Sequence, residues 1–181
     1  MNRIGWDEAH ERARHLGLPP VVLAAFRGER VPDVLKWAMR DAYEIFDEAT
    51  IPHHDDYPPG SVVPLWADHT GYTITAHRTG GERPGFLRFS LEGPPGDPPD
   101  DEGLSWAQIL VQPLLCIWED NDGSDEEADA AVREAAQYLG FEPVETLLNA
   151  FREPERRSAD THEDWYRKLL SRLSDYVMSV R

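Results

Sequence analysis

The chain has 181 residues, 40% of them apolar and 10% aromatic, a composition typical of a folded protein and too apolar for a disordered one. We therefore expect a single domain over residues 1–181. Eighteen basic and 34 acidic side chains give a net charge of −16. This charge argues against nucleic acid or an anionic membrane as partner. It keeps a protein soluble, and it would also suit a basic protein partner.

The N-terminal part, residues 1–50, is predicted to be helical. Its first seventeen residues are charged throughout and contain no apolar signal-peptide region, and no stretch of the chain approaches transmembrane length. We therefore expect a cytoplasmic protein. A first helix should end at Gly17. A longer helix is predicted over residues 32–49, because apolar residues recur there with a period of 3.6.

A proline-rich loop, IPHHDDYPPG (residues 51–60), follows this helix. It contains the densest group of possible metal ligands in the sequence: His53, His54, Asp55 and Asp56. Neighbouring side chains on an extended loop diverge, so they cannot all reach one ion. We therefore expect a solvated loop without metal or cofactor. A metal site completed by a histidine of the sheet is the alternative.

The central part of the chain predicts an antiparallel sheet. Three short runs of β-forming residues occupy residues 62–67, 72–77 and 86–91. The connections between them are too short for parallel strands. A meander over about residues 61–92 follows, with one apolar face that needs a cover. The predicted fold class is α+β, a short, mostly antiparallel sheet covered by helices from the N- and C-terminal parts.

The C-terminal part, residues 104–181, is predicted to be helical. Residues 93–103 contain four prolines and four acids and are predicted to be an exposed connector. Ser105 and Gln108 fit a capping box at the start of the next helix, and Pro113 should kink that helix. The predicted core comprises apolar residues of the sheet and its covering helices: Leu35, Ala38, Ile45, Phe46, Leu65, Ile74, Leu87, Phe89, Ile109, Leu110 and Leu114.

A strongly acidic stretch, EDNDGSDEEAD, occupies residues 119–129. It is not a calcium loop, since Asp125 stands where that loop needs glycine and Ala131 where it needs glutamate. Ser124 and Glu127 fit a second capping box, and acids in a first helical turn are favoured by the helix dipole. The stretch is therefore predicted to open a helix.

The sequence contains no motif of a known active site. A Gly-rich phosphate loop, a nucleophile elbow and a zinc-protease helix motif are all missing from it. Carboxylates are so abundant that pairing any two as acid and base would be arbitrary. The single cysteine, Cys116, lies in an apolar run and is interpreted as core filling. We expect a protein that is not an enzyme.

Three segments carry a family resemblance: PLWAD (residues 64–68), GYTITAH (residues 71–77) and GFLRFSLEG (residues 85–93). Together they resemble the central block of the SUKH superfamily, which groups bacterial contact-toxin immunity proteins with a fungal cell-wall-synthesis regulator. LSWAQILVQPLL (residues 104–115) is similar to the helix that follows this block in many members. The resemblance covers about residues 60–118 and implies a single-domain, non-enzymatic α+β protein.

The resemblance also implies a function. We expect a bacterial immunity protein, a monomer or weak homodimer, that neutralises a contact-dependent toxin, for example a nuclease, by protein–protein binding. The alternatives are a metal-dependent hydrolase that uses residues 53–56, and a general regulatory interaction module. The resemblance assigns no individual residue to the interface. We therefore take the clustered acidic residues as candidate partner contacts, because a basic partner would bind negative charge. Residues 97–102 form one acidic cluster, and the other candidate contacts are Asp55, Asp56, Glu119, Asp120, Asp122, Asp125, Glu126 and Glu127.

Overall fold

The computed structural model describes residues 6–40, 62–68, 70–90, 101–158, 160–174 and 176. They form an antiparallel sheet and several helices, which confirms the predicted α+β class. The chain divides into two compact units, of which the first ends at Leu104 and the second begins at Ser105. The expectation of a single domain stays a prediction.

The first unit contains a four-stranded sheet with strand order β1-β2-β3-β4 and antiparallel neighbours. The strands are β1 (Val62–Ala67), β2 (Thr73–Arg78), β3 (Gly85–Ser90) and β4 (Asp101–Leu104). The predicted meander is confirmed as β1, β2 and β3. One buried cluster of its apolar side chains comprises Val62, Ala67, Ile74, Ala76, Leu87 and Phe89.

The fourth strand corrects the predicted connector, because residues 101–104 pair with β3 instead of forming an exposed loop. Its two acids are bound across the sheet. Arg88 donates from Nε to Asp101 Oδ2 (3.0 Å). Glu102 accepts from Arg78 Nη2 and from Arg83 Nη1, each at 2.9 Å. A charged strand is thus stabilised by opposite charges on β3, on the end of β2 and on the turn between them.

The two strands approach each other closely where β3 begins. Gly85 has φ +136°, and a Cβ at this position would lie 2.9 Å from the carbonyl oxygen of Leu104. Only glycine combines this backbone conformation with such a close neighbour. The glycine therefore permits β4 to join the sheet.

Two helices of the first unit, α1 (Trp6–His15) and α2 (Pro20–Phe26), pack against β1. The helix predicted over residues 32–49 is wrong in its described part. Only Asp33–Leu35 is helical there, as a 3₁₀ turn, and residues 41–49 lie outside the described residues. Arg40 forms a β-bridge with Ala67 through two backbone hydrogen bonds of 2.8 and 3.0 Å. An extended residue paired with a strand cannot continue a helix.

The second unit is helical among its described residues. Its α-helices are α3 (Trp106–Ile109), α4 (Val111–Glu119), α5 (Asp125–Leu139), α6 (Val144–Phe151) and α7 (His162–Leu173). A 3₁₀ turn, Pro154–Arg157, precedes α7.

The helix starts of this unit follow from the sequence. Both capping boxes are confirmed, with Ser105 and Ser124 as the N-cap residues. The predicted kink is a break at Leu110, between α3 and α4. Pro113 lacks the N–H that would bond to the carbonyl of Ile109, which explains the break.

The predicted core is confirmed wherever the structure describes it. Leu35, Ala38, Leu65, Ile74, Leu87, Phe89, Ile109, Leu110 and Leu114 are all buried. Ile45 and Phe46 lie outside the described residues. Cys116 is partly exposed rather than buried, so it contributes less to the core than predicted.

Candidate partner-binding surface

The acidic turn, defined as residues 119–127, connects α4 to α5 in the second unit. Glu119 is the last residue of α4, and Asp125, Glu126 and Glu127 form the first turn of α5. Of the other candidate acids, Asp55, Asp56 and residues 97–100 lie outside the described residues. Asp101 and Glu102 are bound within the sheet. The remaining candidate acids all lie in the acidic turn.

Two acids of this turn are engaged within the protein. Arg156 donates from Nη1 to Glu119 Oε1. Glu127 Oε2 accepts from the backbone N–H of Ser124 at 2.8 Å, and Ser124 Oγ in turn accepts from the backbone N–H of Glu127 at 3.3 Å. The carboxylates of Glu119 and Glu127 thus hold the two ends of the turn rather than facing a partner freely.

The other four acids are exposed: Asp120, Asp122, Asp125 and Glu126. Among the described residues, none of the four makes a side-chain hydrogen bond or an ion pair. Between them, Asn121 Oδ1 accepts from the backbone N–H of Gly123 at 3.0 Å, which tightens the turn. Four uncompensated negative charges therefore lie within a short segment whose backbone is fixed by local hydrogen bonds.

Arg156 binds Glu119 at the start of this turn. Its side chain is only 9% exposed, and its guanidinium carbon lies 4.9 Å from the ring centroid of Trp118, an arrangement that favours a cation–π contact. Its Nε also donates to the carbonyl oxygen of Phe151 at 2.8 Å. The guanidinium therefore connects the end of α4 to the end of α6, and it holds Glu119 in one position.

Asp129 belongs to the acidic stretch in sequence but not on the surface, because its side chain is 7% exposed. Oδ1 accepts from Trp118 Nε1 at 3.2 Å, and Oδ2 accepts from Arg152 Nη2. Arg133 Nη2 lies 3.7 Å from the same Oδ2. The buried charge is thus compensated, and it connects α5 to α4 and α6.

The sequence could locate the acidic turn but could not distinguish its free acids from its bound ones. Arg156 and Arg152 lie between α6 and α7. Their partners Glu119 and Asp129 lie 37 and 23 residues away in the chain. No local sequence pattern indicates ion pairs between residues so far apart in the chain. The one available signal is that Trp118 brings an indole N–H into the core, where it needs an acceptor.

The predicted histidine–aspartate loop, residues 53–56, lies outside the described residues. Within the described ranges, no group of three or more His, Cys, Asp and Glu side chains is placed to hold a metal ion. His77, one possible further ligand, is half-buried on β2, where its ring meets Phe86 edge-on at 5.0 Å between centroids. Within the part of the chain that the structure describes, its Nδ1 has no hydrogen-bond partner, and burial lowers the pKa of its imidazole.

Comparisons with known proteins give no match: no family model, no curated protein and no solved structure is similar to this chain. The resemblance to the SUKH superfamily therefore stays a prediction. Among the described residues, no helix is both long and apolar enough to span a membrane.

Proposed function

We propose that this chain is a non-enzymatic binding protein that neutralises a basic protein partner by direct contact. The specific form that we propose is a bacterial immunity protein, whose partner is a contact-dependent toxin domain such as a nuclease. The observation that carries this proposal is the set of four exposed, uncompensated carboxylates on the acidic turn, Asp120, Asp122, Asp125 and Glu126.

The rigidity of the turn makes these acids suitable for recognition. Ordering flexible side chains and loops reduces the free energy gained on binding. Here the capping box at Ser124 fixes one end of the turn. The ion pair between Glu119 and Arg156 fixes the other end. Because the backbone of the turn is already ordered, little free energy is lost in ordering it when a partner binds.

The charge of the whole chain supports the same partner class. A protein that cleaves nucleic acid needs a basic face to hold phosphates. A binder with a net charge of −16 is attracted to such a face over long distances. Electrostatic steering of this kind raises association rates by about 10- to 1,000-fold. The free acids of the turn would then meet that basic face at close range.

The test uses a basic, growth-inhibiting protein domain whose gene lies next to the gene of this chain. Co-expression of the chain should restore growth, and the two purified proteins should form a complex. The variant Asp122→Lys with Asp125→Lys should associate about tenfold more slowly or worse. Binding without protection of growth would favour a regulatory interaction module. Absence of binding would contradict the proposal.

A matched control makes the same charge change at the start of another helix. Asp164 lies in the first turn of α7 as Asp125 does in that of α5. Asp160 and Asp164 are exposed and form no ion pair with any described residue. The variant Asp160→Lys with Asp164→Lys should therefore lose the same helix-dipole stabilisation but associate within about twofold of the unmodified chain. Equal slowing in both variants would refute a role for the turn.

A further inference from the structure

Trp37 is the most exposed large apolar side chain among the described residues, with 66% of its surface open to solvent. Its neighbours Leu35 and Ala38 are buried. The segment therefore directs Trp37, together with Lys36, outward, while Leu35 and Ala38 belong to the core. Burial of this indole ring by a bound partner would be favourable, because it would remove apolar surface from water.

The backbone that presents Trp37 is fixed on both sides. On one side, Lys36 N donates to the carbonyl oxygen of Asp33 at 3.2 Å, in the 3₁₀ turn. On the other, Arg40 pairs with Ala67 of β1 through two backbone hydrogen bonds. A partner would meet a tryptophan whose backbone is already ordered, and this lowers the entropy cost of binding.

Trp37 borders a cavity of about 430 Å³ in the first unit. Ala25, Val31 and Met39 form its apolar wall. The volume suffices for a large apolar side chain. Sites for small molecules enclose most of their ligand, whereas here one wall is a side chain that is two-thirds exposed. The open shape therefore suits a side chain that projects from a protein segment.

The charges around the cavity favour an acidic segment. Among the described residues, the one acid that lines the cavity is Glu29. It is bound by Arg27 Nη2 at 2.8 Å, so its charge is compensated. Lys36 also lines the cavity, with Nζ 5.8 Å from the centroid of the Trp37 ring. This amine forms no ion pair with any carboxylate that the structure describes. A carboxylate beside the bound apolar group would provide the missing counter-charge.

We propose that this cavity binds a protein segment in which a large apolar side chain adjoins a carboxylate. The apolar side chain would pack against Trp37, and the carboxylate would pair with Lys36. Tryptophan is one of the residues that most often dominate the binding energy of an interface. The site lies in the first unit and selects an acidic ligand, so it is separate from the acidic turn and independent of the proposed function.

The test uses two arrays of octapeptides, each peptide with one Leu, Ile, Phe or Trp flanked by two Asp in one array and by two Lys in the other. The labelled full chain should bind a subset of the Asp-flanked peptides. Binders should shift the ¹⁹F resonance of Trp37 in chain labelled with 5-fluorotryptophan, assigned with Trp37→Phe. Trp37→Ala and Lys36→Glu should each weaken binding at least about tenfold.

Two controls separate this site from other surfaces. Tyr138→Ala removes an exposed aromatic residue of the second unit and should leave peptide binding unchanged. So should the double substitution of Asp122 and Asp125 to Lys, because it alters only the acidic turn. Both variants change exposed residues, so both should fold normally.

The proposal would be overturned by any of four results. No Asp-flanked peptide binds with a Kd below about 1 mM. Lys-flanked peptides shift the ¹⁹F resonance of Trp37 as strongly as Asp-flanked peptides do. Binding survives Trp37→Ala. The cavity proves to be occupied by a second copy of this chain, which sedimentation velocity would detect as a dimer that dissociates in the Trp37→Ala variant.

Discussion

Replacing Asp129 by alanine should destabilise the second unit. In the native chain this carboxylate accepts a hydrogen bond from Trp118 Nε1 and another from Arg152. Alanine would leave the indole N–H without an acceptor in the core and the guanidinium without its counter-ion. Both losses act on contacts that join α5 to its neighbouring helices.

The expected size follows from the burial of each group. An unsatisfied buried N–H costs about 1–3 kcal/mol. Breaking a buried ion pair costs about 3–5 kcal/mol when the remaining charge stays buried. The Arg152 side chain is 42% exposed and can turn to water, so this second cost is much reduced. We expect Asp129→Ala to lower the free energy of unfolding by about 2–4 kcal/mol. Asp129→Asn keeps an acceptor for Trp118 and should cost about half as much.

The assay is urea unfolding of the full chain, followed by circular dichroism and tryptophan fluorescence. A double-mutant cycle with Trp118→Phe should give a coupling free energy of about 1 kcal/mol, because the two side chains share a hydrogen bond. Arg133→Ala is the control. Its guanidinium lies 3.7 Å from Asp129 and is bound mainly by the exposed Glu145, a surface pair that contributes little, so this variant should change stability least. A loss below about 0.5 kcal/mol for Asp129→Ala, or no coupling to Trp118, would refute this reasoning.

Three further predictions concern backbone and protonation. Gly140 ends α5 with φ 61°, so Gly140→Ala should lower the unfolding free energy by about 1–2 kcal/mol; an unchanged denaturation midpoint would contradict this. Gly85→Ala would clash with the Leu104 carbonyl and should increase amide hydrogen exchange in β4, whereas unchanged protection would show that the two strands accommodate the added methyl group. Burial lowers the pKa of His77 in the folded chain, so the unfolded chain binds the proton more readily and stability should fall as pH drops below about 6.5. His77→Phe should lose less stability than the native chain between pH 7.5 and 5.5, and equal losses would exclude the histidine as a cause.

The sheet could be predicted from sequence because its first three strands are short β-forming runs separated by turn residues. The fourth could not, since Asp101 and Glu102 are typical of loops until their arginine partners on other segments are known. The predicted long helix failed for a different reason. Leu35, Ala38 and Met39 are buried, a spacing that a continuous helix and a single tight turn satisfy equally. Only the pairing of Arg40 with β1 distinguishes the two.

In the acidic turn, too, the sequence predicts the local hydrogen bonds but not the contacts between residues that are distant in the chain. Its capping box is a local pattern, and the sequence located it correctly at Ser124 and Glu127. The burial of Asp129 and the anchoring of Glu119 depend on arginines that follow α6, and the sequence does not report these contacts. The outward direction of Trp37 was likewise not predicted, because a helical pattern assigns no special role to the residue between Leu35 and Ala38.

The most direct test of the central claim is the association rate with the basic domain encoded beside this chain, measured by stopped flow as a function of ionic strength. Raising it from about 0.01 M to about 0.15 M shortens the Debye length from roughly 30 Å to roughly 8 Å. The rate for the unmodified chain should fall at least about tenfold. The rate for the Asp122→Lys, Asp125→Lys variant should be lower at the start and fall less steeply. A rate that is indifferent to both salt and the charge reversal would contradict electrostatic recognition through the acidic turn.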